Sequence, residues 1–113
     1  MSARFAMLPQ DALEHLTAFK REVEHALPGR VARVTLFGSR ARGDAEDDSD
    51  YDVAVFVQDS RQDSKVGSIV SDVAYPHILE GVHISPIVLP AEYALDSEQT
   101  ELAWEIAKDG IVL

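Results

Sequence analysis

The stretch "YDVAVFV", residues 51–57, restricts the fold more than any other part of this 113-residue chain. From Val53 to Val57 it is a near-continuous apolar run, rich in the β-branched and aromatic residues that suit a pleated strand. A strand with one wet face alternates apolar and polar positions. This one does not, so both its faces are expected to be buried, with helices above and below the sheet. The fold class that follows is α/β or α+β.

The flanking segments supply the other layers. Leu13, Leu16, Lys20, Val23 and Leu27 step by three and four, so residues 11–27 read as an amphipathic helix, with Asp11 as its N-cap and Pro28-Gly29 as its end. "VARVTLF", residues 31–37, reads as a strand that runs into a turn at Gly38 and a short helix beyond. Together with residues 51–57 it is expected to form the centre of the sheet. Val66, Ile69, Val70 and Val73 restore helical spacing over about residues 62–75, where Tyr75-Pro76 predicts an end or kink. "VHISPIVL", residues 82–89, reads as a third strand, and Pro86 pushes it to an edge or a bulge because proline donates no ladder hydrogen bond. A last helix holds Leu102, Trp104 and Ile106, capped by Asp96 or Ser97 and stopped by Gly110. No internal repeat, linker or low-complexity segment interrupts this order, and residues 1–113 are read as one domain.

Composition narrows the function classes. With no cysteine, disulfides and thiolate metal sites are excluded, and a reducing compartment, the cytoplasm by default, is the natural setting. The N-terminal "MSARFAMLPQ" has no sustained apolar stretch, and no run approaches the roughly 20 apolar residues of a membrane span. A net charge of −10 opposes an extended duplex nucleic acid as partner. Arg30, Arg33, Arg40 and Arg42 nevertheless fall within thirteen positions, a local positive spot that suits a small phosphorylated ligand.

The chemistry concentrates in "LFGSRARGDAEDDSDYD", residues 36–52, which holds six of the chain's twenty acids. Crowded carboxylates raise one another's proton affinity, so water, the arginines or a divalent cation must offset their repulsion. Asp44, Glu46, Asp47 and Asp48 read as a solvated loop. Asp50 and Asp52 differ, because alternation on a strand projects both to one side and sends Tyr51 to the other, toward the core. Such a pair matches Mg²⁺, which takes one or two carboxylates plus substrate phosphates and water. Gly38-Ser39, at the turn from strand to short helix, offers a phosphate close approach to the backbone, a hydroxyl and exposed amides. Arg40 is the candidate phosphate contact, with neutralisation of the acidic loop as its alternative role. His15, His25 and His77 show no metal spacing and read as surface residues, while Phe19 and Trp104 read as core.

Strand, Gly-Ser, ten residues, Asp-Tyr-Asp, buried strand is an ordered constellation. In it the sequence resembles the minimal nucleotidyltransferases of the DNA polymerase β superfamily, through Gly38, Ser39, Asp50 and Asp52 in their signature spacing. That resemblance implies a nucleotidyltransferase fold, a small mixed sheet flanked by helices. It implies Asp50 and Asp52 as catalytic metal-binding residues, Gly38, Ser39 and Arg40 as nucleotide-binding ones, Mg²⁺ or Mn²⁺ as cofactor, and transfer of a nucleoside monophosphate from an NTP, ATP first, to a hydroxyl. Similar bacterial proteins are antitoxins of all-helical HEPN toxins, some of which they modify with AMP, so a HEPN-type toxin, another protein acceptor or a homodimer mate is the expected partner. Full enzymes of the family carry a third acidic residue on the following strand, where this chain has Ser85. A serine hydroxyl is a weak metal ligand and no base at neutral pH. Glu80, His83 and Glu92 are the substitutes in reach, each read first as structural or solvent-facing. The alternative function is therefore a fold that binds NTP, or neutralises a toxin by complex formation, without turnover.

Overall fold

The computed structural model describes residues 8–113, so residues 1–7 of the N-terminal "MSARFAMLPQ" lie outside it. Ala12, Leu16, Phe19 and Val23 recur at helical spacing and form the buried stripe of helix α1, Gln10–Ala26. Its N-cap is Pro9, whose carbonyl accepts from the Leu13 amide at 3.0 Å. Asp11 thus sits inside the first turn, favourably placed toward the helix dipole, and does not cap it. Gly29 then turns the chain at φ +74° into strand β1, Val31–Phe37.

β1 runs antiparallel to β2, Tyr51–Val57, and β2 runs parallel to β3, Ile84–Pro90, after the crossover helix α3, Val66–Leu79. The two-residue strand β4, Ile111–Val112, pairs antiparallel with Thr35 and Leu36 of β1, giving the sheet order β3-β2-β1-β4. The sheet is mixed, β1 and β2 are central, and Pro86 lies on an edge strand, opposite Val53.

β2 is buried on both faces. Val53, Val55 and Val57 join Val34 and Leu36 in a core under α1 and α3, where Leu16, Phe19 and Val70 are almost wholly enclosed. Ala54 and Phe56 face the other way, toward Ile106, Ile87, Leu89 and Tyr93. This second layer is thinner, built from the short helix α4, Glu92–Leu95, and from α5, Glu101–Asp109.

Several sequence expectations shift. The helix expected at 62–75 begins at Val66 and continues through Pro76 to Leu79. Pro76 and Asp72 are both exposed, so the carbonyl that proline deprives of a partner faces water, and the helix is not broken there. α5 is capped by Thr100, whose Oγ1 accepts from the Ala103 amide at 3.0 Å, and not by Asp96 or Ser97, which precede it in the loop after α4. Its buried face is Ala103 and Ile106, while Trp104 is 50% exposed under the Lys108 ammonium, 5.2 Å from the ring centroid. Trp104 is therefore not core. The closing "IVL" contains β4, which Gly110 makes reachable, since a Cβ there would collide with the Ile106 carbonyl and the Thr35 methyl.

Candidate functional site

The β1–β2 register decides where the acids go. Phe37, the last residue of β1, pairs with Asp52, so the chain leaving β1 through Gly38 passes directly beside the Asp52 side chain. Gly38 has φ +75°, a region that disfavours a side chain, and a Cβ there would stand 2.6 Å from Asp52 Oδ2. Glycine is required twice over. Ser39 then opens helix α2, Ser39–Arg42, in which the amides of Ala41 and Arg42 both find the Gly38 carbonyl at 3.1 Å. The N–H groups of Ser39 and Arg40 precede this ladder and belong to the unladdered start of the helix.

Asp50 ends the loop one residue before β2, exposed, while Tyr51 is buried in the α1/α3 core. The alternation expected from sequence therefore holds around Tyr51. Burial first, and then the negative charge of Asp50, raise the Asp52 carboxyl above its usual value, opposed by the charge of Arg42. Two carboxylates two residues apart, one of them set against a glycine backbone and raised by the charge of the other, form a donor set that suits a hard divalent cation. The residues fit.

The parallel β2–β3 register places Ser85 directly beside Asp52. Ser85 thus occupies the neighbouring-strand position where the family resemblance calls for a third acid. Two residues earlier, His83 accepts the Tyr51 amide on its carbonyl at 2.9 Å and brings Nδ1 to 2.8 Å from Asp50 Oδ1. This contact follows from the register of β3, which the sequence order alone does not fix.

Arg40 does not project toward the Gly38 turn. Its Nε and a terminal nitrogen donate to the Ser49 carbonyl at 3.1 and 2.9 Å, the same terminal nitrogen donates to the Asp47 carbonyl at 3.1 Å, and its guanidinium lies 4.4 Å from the Tyr51 ring centroid. It straps the acidic loop down. Arg42 pairs with Asp44 at 3.2 Å, both exposed. Arg30 and Arg33 stand at the far end of β1, bound to Gln58 and Asp63 and to the Ala94 carbonyl. The four arginines that cluster in sequence are therefore split by the length of β1. Asp44, Glu46, Asp47 and Asp48 are exposed, as expected of a solvated loop.

A cavity of about 470 Å³ lies elsewhere, where Val57 and Pro90 end their strands, lined also by Arg33, Arg61 and Leu95. Nothing in it adjoins Asp50 or Asp52. Among the histidines, His25 is exposed but His77 is not a surface residue: it is buried between α1 and α3 and touches His15 and Glu22. Its place was readable from the stripe Val66, Val70, Ala74, His77. No helix among the described residues is long and apolar enough to cross a membrane.

Residues 21–113 match the family described as "Polymerase beta, Nucleotidyltransferase". A protein of Methanocaldococcus jannaschii, provisionally named a protein adenylyltransferase, is 31% identical over 78 residues, covering 69% of this chain and 79% of that one. The crystal structure of a provisionally assigned nucleotidyltransferase from Sulfolobus solfataricus superposes with a TM-score of 0.55 at 22% identity, covering 93% of this chain and 87% of its own. That likeness is one of fold.

Proposed function

The chain belongs to the polymerase beta nucleotidyltransferase family, and from that premise we propose that it transfers a nucleoside monophosphate, AMP from ATP, to a hydroxyl of a protein acceptor. The observation that carries the reading is the approach of the Asp52 carboxylate to Gly38, with Asp50 two residues before it. Asp50 and Asp52 hold the divalent cation, Mg²⁺ or Mn²⁺. When bound, it supplies positive charge to the phosphate oxygens that gain negative charge during transfer.

The remaining work falls to the chain itself. Gly38 keeps the turn free of a side chain so that a triphosphate can lie along the backbone, and the Ser39 hydroxyl and the amides at the start of α2 donate to its oxygens. Arg40 acts indirectly, by fixing the loop that delivers Asp50. The burial that raises Asp52 also limits water around it, which strengthens its interaction with charge in the site. Protein as the acceptor class is supported by the name of the M. jannaschii relative. A HEPN-type toxin or a second copy of the chain would meet this requirement, in the cytoplasm.

Ser85 beside Asp52 favours a second reading, in which the chain binds NTP or silences a toxin by complex formation and does not turn over. One experiment separates the two. Incubation with α-labelled ATP, Mg²⁺ and a bacterial extract as acceptor pool is expected to label a protein band with the native chain and none with Asp52→Asn. Labelling that survives Asp52→Asn overturns the assignment. Magnesium-dependent ATP binding without label in either sample supports the second reading.

A further inference from the structure

Helices α1 and α3 bring a second set of metal-ligating side chains together, on the opposite side of the sheet layer from α4 and α5. His15 and His77 face each other with their Nδ1 atoms 2.8 Å apart and their rings edge-on. One ligand atom each from His15, His77 and Glu80 lies within 4.8 Å of the others, the one such group of three among the described residues. From this cluster we infer that the chain binds a transition-metal ion of the zinc class through His15 Nδ1, His77 Nδ1 and the Glu80 carboxylate.

The surroundings of His77 point the same way. Its Nε2 lies 2.7 Å from Glu22 Oε1, so it donates its proton to that carboxylate. With Nε2 protonated in the neutral ring, Nδ1 carries a lone pair and is aimed at His15. Metal-ligating histidines characteristically hold their outer N–H on a carboxylate in this way, which fixes the tautomer and raises the basicity of the ligating nitrogen. Glu22 is the positioning residue.

The geometry needs only a small adjustment. Zn–N bonds of about 2.0–2.1 Å at a tetrahedral angle put two nitrogens about 3.3 Å apart, roughly 0.5 Å wider than the present pair. Glu80 is exposed and caps the C-terminal end of α3, so its side chain can turn in as the third ligand, and a water can take the fourth position. Two imidazoles and a carboxylate suit zinc better than magnesium, which avoids nitrogen ligands. Helical spacing builds the set, since His15 and Glu22 are seven apart on α1, and Glu80, the C-cap of α3, follows His77 by three. Without metal the two histidines share one hydrogen bond, a simple bridge between helices, and the test must tell these states apart.

Zn²⁺ is titrated against a chromophoric chelator into the native chain, Asp50→Asn/Asp52→Asn, His15→Ala, Glu80→Ala and Glu22→Gln, with melting curves for each. The expected result is one tight equivalent in the native chain and in the double variant, weakened at least about tenfold in His15→Ala and Glu80→Ala, and about 10–100-fold in Glu22→Gln. Cobalt in the same site should give the intense visible absorption of a tetrahedral ion, lost in His15→Ala. Zn²⁺ should raise the melting temperature of the native chain and not that of His15→Ala. Binding that vanishes in the Asp50/Asp52 variant but survives in His15→Ala overturns the inference, and so does no stoichiometric uptake at all. His15 is only partly buried and Glu80 is exposed, so neither variant depends on repacking the core.

Discussion

Asp52 and Gly38 are matched across the end of the β1–β2 ladder: the carboxylate occupies the space that a side chain at residue 38 would need. Gly38→Ala must therefore carry both a positive φ and a contact of 2.6 Å with Oδ2. The strain of a non-glycine residue there is about 1–3 kcal/mol. The displaced carboxylate adds a functional loss. Chemical denaturation should show that destabilisation, and calorimetry should show magnesium-dependent ATP affinity falling by more than the stability loss explains. Ala at Gly67, which has open space and no positive φ, is the control.

Asp52 is a liability to the fold in the absence of a cation, and the sign of its pH dependence follows. Burial and Asp50 raise its folded value above that of the unfolded chain. Between the two values the native state binds more protons, so its contribution makes the protein more stable as pH falls through that window, and the penalty is fully present above it. Asp52→Asn should melt no lower than the native chain in EDTA at neutral pH and should lose this pH slope. The same variant should lower nucleotide transfer by at least about 10²-fold. Divalent-cation affinity should weaken as pH falls through the raised value, because proton and cation compete for one carboxylate.

Arg40 is predicted to matter for order before affinity. Its donors hold the Ser49 and Asp47 carbonyls, and its guanidinium covers Tyr51. Arg40→Ala should cost about 1–2 kcal/mol, and the amides of residues 44–49 should exchange faster. Arg40→Lys should not restore them, since an ammonium cannot span two carbonyls and stack on a ring. A fall in ATP affinity with unchanged exchange in the loop would return Arg40 to the phosphates.

What the sequence disclosed, and what it withheld, divides along the range of the forces involved. β1 and β2 were legible to the residue because local patterning fixes them: "VARVTLF" stops at a glycine, and "YDVAVFV" has no polar alternate to expose. The approach of Asp52 to Gly38 was legible because the short connection between β1 and β2 suffices to bring them together. The neighbours on and before β3 were less so. Ser85 was placed beside Asp52 only through the family resemblance, and the contact of His83 with Asp50 depends on a parallel register set by a crossover of more than twenty residues, which no local rule encodes. Of the two roles open to Arg40, phosphate contact and restraint of the acidic loop, its bonds favour the second, and the loop carbonyls it satisfies come into place only once the loop is folded. For His77 the burial was encoded in its apolar stripe and the partner was not, since His15 sits sixty-two residues away on α1.

Ser85→Asp tests whether the site is a complete enzyme or a binding module. The substitution places a third carboxylate next to Asp52 across the β2–β3 ladder, at a position that is only partly buried. Like charge at that distance should raise Asp52 further, so the variant should be less stable than the native chain in EDTA and should gain more from Mg²⁺. If the native chain is limited by the missing acid, transfer from α-labelled ATP should rise by about 10²-fold or more, the scale of a positioned proton acceptor. If His83, held on Asp50, already serves the site, Ser85→Asp should leave transfer nearly unchanged while His83→Ala lowers it. A chain that binds Mg²⁺ more tightly after Ser85→Asp yet transfers nothing in either form is a nucleotide-binding protein, and its function then lies in the partner it holds.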